Sequence, residues 1–304
     1  MEILKLIPAC KNYIWGGEKL PERYGKNVDF RPVAESWELS FHKDGKTALE
    51  NGKTLEEALS PRELGSACAA FPFFPVLIKL IDAKQNLSVQ VHPDDTYALA
   101  NENSFGKTEA WYIVEADEGA GIYLGFNRDV TREELERAIR EETLPTLLNF
   151  YPVKAGECYF IPAGTIHAIG AGCLICEIQQ NSNLTYRVYD YGRRDKDGNP
   201  RELHVEKALR VANLKKYEKL APSAGENGEE VLASCQYFHS TRLVVNGENT
   251  IHTDDTSFKC LVCVRGAGQI GIHTAKAGDS FFIPAGYGKV VLAGDMEIVC
   301  TEVR

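Results

Sequence analysis

A ten-residue segment occurs twice in this chain of 304 residues, and this repeat constrains the fold more strongly than any other sequence feature. The segment at 155–164 reads AGECYFIPAG, and the segment at 277–286 reads AGDSFFIPAG. A copy at a fixed offset, here 122 residues from Ala155 to Ala277, is the signature of a repeated structural unit. The repeat predicts two related β-barrels of about 100 residues each, and the chain is long enough to hold both with additional elements.

Local patterns predict many short strands and few helices, so the expected fold class is dominated by β-structure. Gly and Pro flank many segments rich in Val, Ile, Tyr and Phe, as is typical of strands. Residues 54–59 and 61–65 predict a short helical excursion that ends at a glycine. A helix is predicted from Thr131 to about Glu142, because Thr131 and Glu134 form a capping-box pattern. Its inward-facing residues are predicted to be Leu135, Ala138 and Ile139.

Three short segments supply four side chains that suit a single metal ion. Gln90 and His92 alternate along a predicted strand, so both side chains can point to the same face. Glu109 opens a second apolar strand, and His167 follows a third. One amide oxygen, one carboxylate and two imidazoles suit Zn²⁺ or a neighbouring ion such as Mn²⁺, Fe²⁺ or Co²⁺. The set contains no cysteine, which favours an open catalytic site over a closed structural one.

An ordinary structural interpretation exists for each histidine taken alone. His92 would be a turn residue before Pro93, and His167 would be a hydrogen-bonded core histidine. The four residues together favour the metal site.

The second copy is predicted to lack a metal. At the offset of the repeat, His167 corresponds to Lys289. The strand that carries Glu109 is matched, by its apolar pattern rather than by that offset, to residues 258–263. The sequence His-Thr-Asp-Asp at 252–255 resembles His-Pro-Asp-Asp at 92–95, but its offset is 160, so we interpret it as a turn between strands.

The composition of residues 221–228, APSAGENG, is that of a linker. We therefore expect a metal-binding domain with short helical excursions at 1–220. A C-terminal barrel without metal ligands is expected at 230–304.

Charge and hydropathy argue against several classes of partner and location. The hydrophobic fraction of 44% and the charged fraction of 25% are those of an ordinary soluble globular protein. A formal net charge of −9 argues against a nucleic acid or an anionic membrane as partner. The chain has no apolar run near the roughly 20 residues that span a bilayer and no secretion signal, so we expect a cytoplasmic protein.

Nine cysteines, an odd number, suit reduced thiols in the cytoplasm. Two pairs, at 173–176 and 260–263, have the Cys-x-x-Cys spacing of zinc ribbons. Each pair encloses only branched aliphatic residues, and positions three apart in a strand face opposite ways. Both pairs are therefore predicted to be core cysteines.

The spacing of Gly156, Pro162, Gly164 and His167 resembles the second sequence motif of the cupin barrels, although Ala171 stands where that family has Asn. The first cupin motif departs further, with Gln90 in place of a His and a distant Glu109. These departures are the pattern of one cupin family, and the chain resembles type I mannose-6-phosphate isomerases from about residue 4 to its C-terminus. The segments that carry the resemblance are YIWGG at 13–17, AESW at 34–37, FPVLIK at 74–79, QVHPDD at 90–95, KTEAW at 107–111 and EIQQNSNLTYR at 177–187.

The resemblance implies two cupin, or jelly-roll, barrels and the interconversion of mannose 6-phosphate and fructose 6-phosphate through a cis-enediol. It also implies one Zn²⁺ per chain, with another divalent ion as the alternative, and the short bacterial form of the enzyme. Asn183 departs from the Asp of many members. The implied site residues are Gln90, His92, Glu109 and His167 as metal ligands, Arg187, Lys107 and Glu177 as catalytic residues, and Lys79 and Trp15 as substrate-binding residues.

A phosphorylated sugar is anionic and would need a basic pocket in this acidic protein. Lys79, Lys107 and Arg187 are the candidates within the family motifs, and arginine suits phosphate because its planar fork can bond two oxygens at once. Arg193 and Arg194 are more simply explained as solvated loop residues.

Two functions of other classes stay open. The first is a non-catalytic sugar-phosphate-binding cupin, such as a regulator, although retention of the four ligands with Lys107 and Arg187 counts against it. The second is a metal-dependent cupin dioxygenase, which Gln90 in place of a histidine disfavours. The sequence indicates no oligomeric state.

Overall fold

The computed structural model describes residues 1–194, 198–219 and 230–304, so the predicted linker at 221–228 lies outside the described residues. Strands dominate the described ranges. In chain order they are β1 Leu4–Lys5, β2 Ala9–Lys11, β3 Glu35–Leu39, β4 Val76–Ala83, β5 Val89–Val91, β6 Glu109–Ala116, β7 Gly121–Phe126, β8 Leu148–Pro152, β9 Cys158–Ile161, β10 His167–Ile169, β11 Cys173–Gln180, β12 Tyr186–Tyr189, β13 Glu230–Ser234, β14 His239–Thr253, β15 Lys259–Ile270, β16 His273–Lys276, β17 Ser280–Ile283 and β18 Gly288–Glu302.

The helices are short, as the sequence predicted. They are α1 Lys19–Tyr24, α2 Leu55–Ala58, α3 Pro61–Leu64, α4 Asp95–Asn101, α5 Arg132–Arg140 and α6 Val205–Val211, with 3₁₀ turns at Ser66–Ala70 and Leu144–Leu147. The predicted capping box starts α5 at Thr131, and Leu135, Ala138 and Ile139 are buried. The predicted excursion is α2 and α3, which ends at Gly65 with a positive φ of 91°. No helix of the described residues has the length and apolar character that a membrane span requires.

Three sheets are stacked in layers. The central sheet has the order β2-β3-β4-β11-β6-β9, and the outer sheet, which faces it, has the order β12-β5-β10-β7-β8. The C-terminal sheet has the order β1-β17-β15-β18-β14-β13, with β16 paired to β15. The N-terminal half is therefore two facing sheets rather than one closed barrel, and its first strand, β1, pairs with β17 of the C-terminal sheet.

The central sheet is buried on both faces because its residues alternate between two apolar cores. Odd-numbered residues such as Ile81 and Trp111 pack with Leu124 of the outer sheet. Even-numbered residues such as Ile78 pack against the C-terminal sheet, for example against Phe258. A further core lies within the C-terminal sheet itself.

The same alternation explains the two Cys-x-x-Cys pairs. Cys173 lies in the core shared with the outer sheet, and Cys176 in the core shared with the C-terminal sheet. Cys260 and Cys263 are likewise divided between two cores. All four are free buried thiols, so the prediction of core cysteines is confirmed.

The repeat predicted from the sequence is a structural repeat. Strand β9 pairs with β6 in the register Glu109 to Ile161, and β17 pairs with β15 in the register Lys259 to Ile283. Because Ile161 and Ile283 are 122 residues apart, Lys259 occupies the position that Glu109 holds in the first copy.

Candidate active site

Strand pairing places three of the predicted site residues side by side on the outer sheet. Gln90 of β5 lies opposite His167 of β10 on one side and opposite Arg187 of β12 on the other. Residues directly opposite each other in paired strands project from the same face. The three side chains therefore form one row on the outer sheet.

The central sheet supplies the complementary row. Glu177 of β11 lies opposite Lys79 of β4 and opposite Trp111 of β6. Two residues further along the sheet, on the same face, Gln179 lies opposite Glu109. This face carries the core shared with the outer sheet, so the two rows face each other.

The predicted ligands His92, Glu109 and His167 converge in a buried cluster whose ligand atoms all lie within 4.8 Å of one another. The Glu109 carboxylate lies 3.3 Å from Nε2 of His167 and 3.7 Å from Nε2 of His92. The amide nitrogen of Gln90 lies 3.4 Å from Nε2 of His167, and rotating this amide by half a turn would present its oxygen there. Within the described ranges, this is the one group of three or more His, Cys, Asp or Glu residues spaced for a metal ion.

Backbone carbonyls orient both imidazoles of the cluster. Nδ1 of His92 lies 2.8 Å from the carbonyl oxygen of Leu184, and Nδ1 of His167 lies 2.8 Å from that of Thr165. A carbonyl oxygen only accepts hydrogen bonds, so each Nδ1 carries the proton and donates it. Each Nε2 therefore presents a lone pair towards Glu109, which is the arrangement of metal-binding histidines.

The electrostatics of the cluster favour a divalent metal ion. Burial lowers the pKa of His167 to about 4 and the pKa of His92 well below its usual value, so both rings stay neutral at physiological pH. Nε2 of His92 and Oε1 of Glu109 are buried and have no hydrogen-bond partner among the described residues. Unpartnered buried polar atoms are costly in a folded protein, and a bound cation would satisfy both. These residues fit a metal ion.

Two lysines lie beside the cluster in a network of buried charges. Nζ of Lys107 lies 2.7 Å from Glu109 and 3.5 Å from Oε1 of Glu177, and Nζ of Lys79 lies 3.6 Å from the same Oε1. The other carboxylate oxygen of Glu177 accepts a hydrogen bond of 2.8 Å from Nε1 of Trp111. Burial opposes the charge on Glu177, but Lys107 and Lys79 hold its pKa below the usual range. Glu177 is therefore an ionised carboxylate.

An open cavity of about 320 Å³ lies beside this network. Gln90 and Lys107 line the cavity and also contact the buried cluster, so they connect the two. The predicted residues that line the cavity are Trp15, Lys79, Gln90, Lys107, Glu177 and Arg187. The structure thus brings Glu177 and Arg187 to one cavity, which their spacing in the sequence could not show.

Besides Asn183, five further polar or aromatic residues of the cavity were not predicted. Tyr13, Glu35 and Thr185 belong to sequence segments that carry the family resemblance, so position in those motifs was an available signal. Tyr13 stacks on Trp15 with ring centroids 5.4 Å apart. Ser88 and Arg201 lie outside those segments and gave no sequence signal.

Asn183, the departure from the family pattern, also lines the cavity. Its side-chain amide lies 3.3 Å from the carboxylate of Asp44 and donates a hydrogen bond to it.

The interpretation of Arg193 as a solvated loop residue is wrong. All three guanidinium nitrogens of Arg193 donate hydrogen bonds, to the backbone and carboxylate of Asp190 and to the carbonyl of Asn86, and its side chain is 16% exposed. Arg194 is exposed, as expected, and donates to the carbonyl of Gly198.

Comparison with known proteins identifies the family of the chain. The family model "Phosphomannose isomerase type I, catalytic domain" matches residues 3–119, and "Mannose-6-phosphate isomerase, cupin domain" matches residues 229–303. A probable mannose-6-phosphate isomerase of Bacillus subtilis (strain 168) is 37% identical over 317 residues, which cover 98% of each chain. The mannose-6-phosphate isomerase of Streptococcus mutans is 36% identical over 313 residues, covering 99% of this chain and 98% of its own.

A crystal structure of mannose 6-phosphate isomerase from Bacillus subtilis is similar over 99% of both chains, with a TM-score of 0.86 and 34% identity. The β-dominated cupin fold class and the family resemblance seen in the sequence are both confirmed. By sequence and by structure, the chain belongs to the type I mannose-6-phosphate isomerase family.

Proposed function

We propose that this protein is a metal-dependent aldose–ketose isomerase that interconverts mannose 6-phosphate and fructose 6-phosphate. One observation supports this above the others. A buried His92, Glu109 and His167 cluster with unpartnered ligand atoms adjoins a cavity that also presents an ionised carboxylate and several cations. A binding protein would have no need of a carboxylate held ionised by two buried lysines beside a metal site, so the network favours catalysis.

The metal we propose is Zn²⁺, one per chain, held by Gln90, His92, Glu109 and His167. Two neutral imidazoles, one carboxylate and one amide oxygen suit zinc, and the absence of cysteine suits a site that admits substrate. When bound, the ion would polarise the carbonyl or hydroxyl oxygen of the sugar.

The remaining steps fall to side chains of the cavity. In the aldose-to-ketose direction, Oε1 of Glu177 takes the proton from C2 and returns it to C1, while the hydroxyl hydrogen on O2 passes to O1. Lys107 and Arg187 are cations that stabilise the negative charge developing on the enediol oxygens. Lys79 and Trp15, which line the cavity, are the proposed substrate-binding residues. Lys79 supplies a positive charge and also keeps Glu177 ionised, and Trp15 provides an apolar wall against the sugar.

We further propose a division of the chain near residues 220–230, with the catalytic cupin domain at 1–220 and a cupin barrel without metal ligands at 230–304. The structural counterparts of Glu109 and His167 in the C-terminal part are Lys259 and Lys289, and a lysine cannot replace either ligand while it is protonated.

The function is tested by a coupled isomerase assay with mannose 6-phosphate before and after chelation, followed by readdition of Zn²⁺. The repeat offers a matched pair of variants for the same assay. His167→Ala removes one of about four ligands from a domain that still folds, so we expect loss of bound metal and of turnover. Lys289→Ala changes the equivalent position of the second copy and should alter neither.

Turnover that survives both complete metal removal and His167→Ala would refute the metal-dependent mechanism. Loss of metal in Lys289→Ala would show that the proposed metal site lies in the wrong half of the chain. A wild-type protein that binds metal and sugar phosphate without turnover would support the non-catalytic alternative.

A further inference from the structure

Three arginines surround one buried carboxylate at the edge strand of the outer sheet. Asp190, which is 6% exposed, follows β12 and forms ion pairs with Arg193 and Arg201. Arg187 of β12 is close enough to Arg201 that burial, and then this neighbouring charge, lower the pKa of Arg187. The other nearby acidic residue, Glu202, has an 81% exposed side chain. The buried part of the cluster therefore carries two positive charges in excess.

The hydrogen bonds divide the three guanidinium groups into two kinds. All three guanidinium nitrogens of Arg193 donate hydrogen bonds to Asp190 and Asn86, so Arg193 stabilises the loop. Arg201 donates from Nε to Oδ2 of Asp190 at 2.7 Å and from Nη2 to Oδ1 at 2.5 Å. The Asp190 carboxylate therefore accepts hydrogen bonds from the edge of the Arg201 guanidinium that Nε and Nη2 form. Within the described ranges, Nη1 on the other edge has no hydrogen-bond partner.

The guanidinium of Arg187 also has one nitrogen without a hydrogen-bond partner among the described residues. It donates from Nε to Oγ of Ser88 at 3.3 Å and from Nη1 to the carbonyl of Glu202 at 2.9 Å. Its Nη2 has no partner among the residues that the structure describes. Arg187 and Arg201 both line the site cavity, whereas Arg193 does not.

From this arrangement we infer that Arg201, held in position by Asp190, binds the phosphate group of the sugar substrate beside Arg187. The inference rests on the proposed function for the identity of the substrate. A phosphate monoester carries a charge of about −1.5 to −2 near neutral pH, so the positively charged surroundings of Arg201 attract it. Arginine offers paired donors to phosphate oxygens, and a guanidinium already fixed by a carboxylate loses little freedom when it binds.

The assignment gives Arg201 and Asp190 different roles. Arg201 contacts the substrate at a group that does not react, so its contribution is the same in the ground state and the transition state. Such a residue affects KM and leaves kcat unchanged. Asp190 is a positioning residue, because it acts through Arg201. Sugars without a phosphate gain nothing from either residue, so the pair also sets specificity.

The test compares Arg201→Gln with Arg194→Gln, which removes the same charge from an exposed position of the same loop. For Arg201→Gln we expect KM for mannose 6-phosphate to rise about ten- to a hundredfold, the range for losing charged hydrogen bonds, with kcat within about twofold. Inhibition by inorganic phosphate should weaken by a similar factor. Arg194→Gln should change neither quantity.

If Arg201→Gln is unstable, Asp190→Asn tests the inference by itself, because it releases the Arg201 guanidinium and should raise KM while kcat stays unchanged. If Arg201→Gln folds, the double variant Asp190→Asn/Arg201→Gln tests the positioning role of Asp190. The double variant removes the carboxylate together with its partner, and its KM should equal that of Arg201→Gln because the two residues act as a unit. Additive effects of the two substitutions would contradict the positioning role of Asp190.

Direct binding separates this inference from the proposed function. Calorimetry with mannose 6-phosphate and with inorganic phosphate measures the anion site even in a protein without turnover. Absence of wild-type turnover would refute the function, and weaker phosphate binding by Arg201→Gln would still support the anion site. Unchanged binding and unchanged KM in Arg201→Gln, or a fall in kcat alone, would overturn the assignment of Arg201.

Discussion

Glu109 shows how its surroundings set the properties of a single residue. Burial, and after it the charge of Glu177, raise the pKa of Glu109 to about 7, although Lys107 lies 2.7 Å away. Burial lowers the pKa of His167 to about 4. In the metal-free protein the carboxyl group therefore titrates near neutral pH, whereas both histidines are already neutral there.

The raised pKa predicts a pH-dependent metal affinity. Below pH 7 an incoming ion must displace the proton of Glu109, so affinity for Zn²⁺ should fall about tenfold per pH unit between about pH 7 and pH 5. Competition against a chromophoric chelator, corrected for its own protonation, measures this slope. Glu109→Gln should bind more weakly but with little pH dependence. A wild-type slope of two protons would mean that a histidine titrates in the same range.

Arg187 has a distinct role to test, because it lies beside Gln90 in the row on the outer sheet. If its guanidinium stabilises the enediolate, Arg187→Lys should lower kcat and kcat/KM together by about 10²–10³, with metal content unchanged. Lysine keeps the positive charge but lacks the planar guanidinium and its paired hydrogen-bond donors. Steady-state kinetics with metal analysis checks this. Near-normal kcat with a raised KM would move Arg187 to phosphate binding instead.

At the scale of elements, strand register corrects an alignment suggested by sequence similarity. In the second copy His252 of β14 lies opposite Lys289 of β18, as Gln90 lies opposite His167 in the first. His252 is therefore the counterpart of Gln90, not of His92. Strand β14 extends through Thr253, so only the two aspartates of the segment at 252–255 lie beyond the strand, where the turn was expected.

Helix α5 gives a prediction that depends on local structure alone. The Thr131 side chain accepts a hydrogen bond from the backbone N–H of Glu134, and the Glu134 carboxylate accepts one from the backbone N–H of Thr131. Thr131→Ala should lower the free energy of unfolding by about 1 kcal/mol without changing turnover, because the helix lies outside the cavity. Urea denaturation measures the change. Thr131→Ser keeps the hydroxyl, and an equal loss in both variants would contradict the capping explanation.

At the scale of the whole molecule, the C-terminal sheet is a structural support for the central sheet that carries the site. Nζ of Lys26 donates hydrogen bonds to Glu38 at 2.9 Å and to the carbonyl of Gly278 at 2.5 Å. Glu38 also accepts a hydrogen bond from Ser280. Phe258 is fully buried between Phe74 and Phe282, and one apolar core contains residues of both sheets.

The shared core predicts that the two parts of the chain unfold together. Phe258→Ala should cost about 3–5 kcal/mol of stability, with one cooperative transition retained and KM unchanged, because the cavity lies on the opposite face of the central sheet. Denaturation followed by tryptophan fluorescence and circular dichroism checks whether the transitions coincide. Phe150→Ala, at a 49% exposed position, is the control and should cost far less. Two separate transitions would show that the parts are independent.

Local order in the sequence predicts several elements of the fold and part of the candidate site. Alternation along β5 predicted that Gln90 and His92 could share a metal ion, the Thr131 capping box predicted α5, and the offset of 122 residues predicted the repeat of β9 as β17. The first two features follow from the period of a strand and from the first turn of a helix, so a few residues are enough to predict them. The third follows from comparing two ten-residue segments, without any knowledge of the fold.

Which distant elements meet is visible only in the folded protein. The contacts of Lys107 and Lys79 with Glu177 depend on sheet order and register, and so do the positions of Arg187 and Arg201 in the cavity wall. The pairing of β1 with the C-terminal sheet depends on them as well. Strand pairing is non-local, and its free energy comes from packing whole faces of sheets rather than from any short segment. The burial that raises the pKa of Glu109 likewise exists only after those faces have packed.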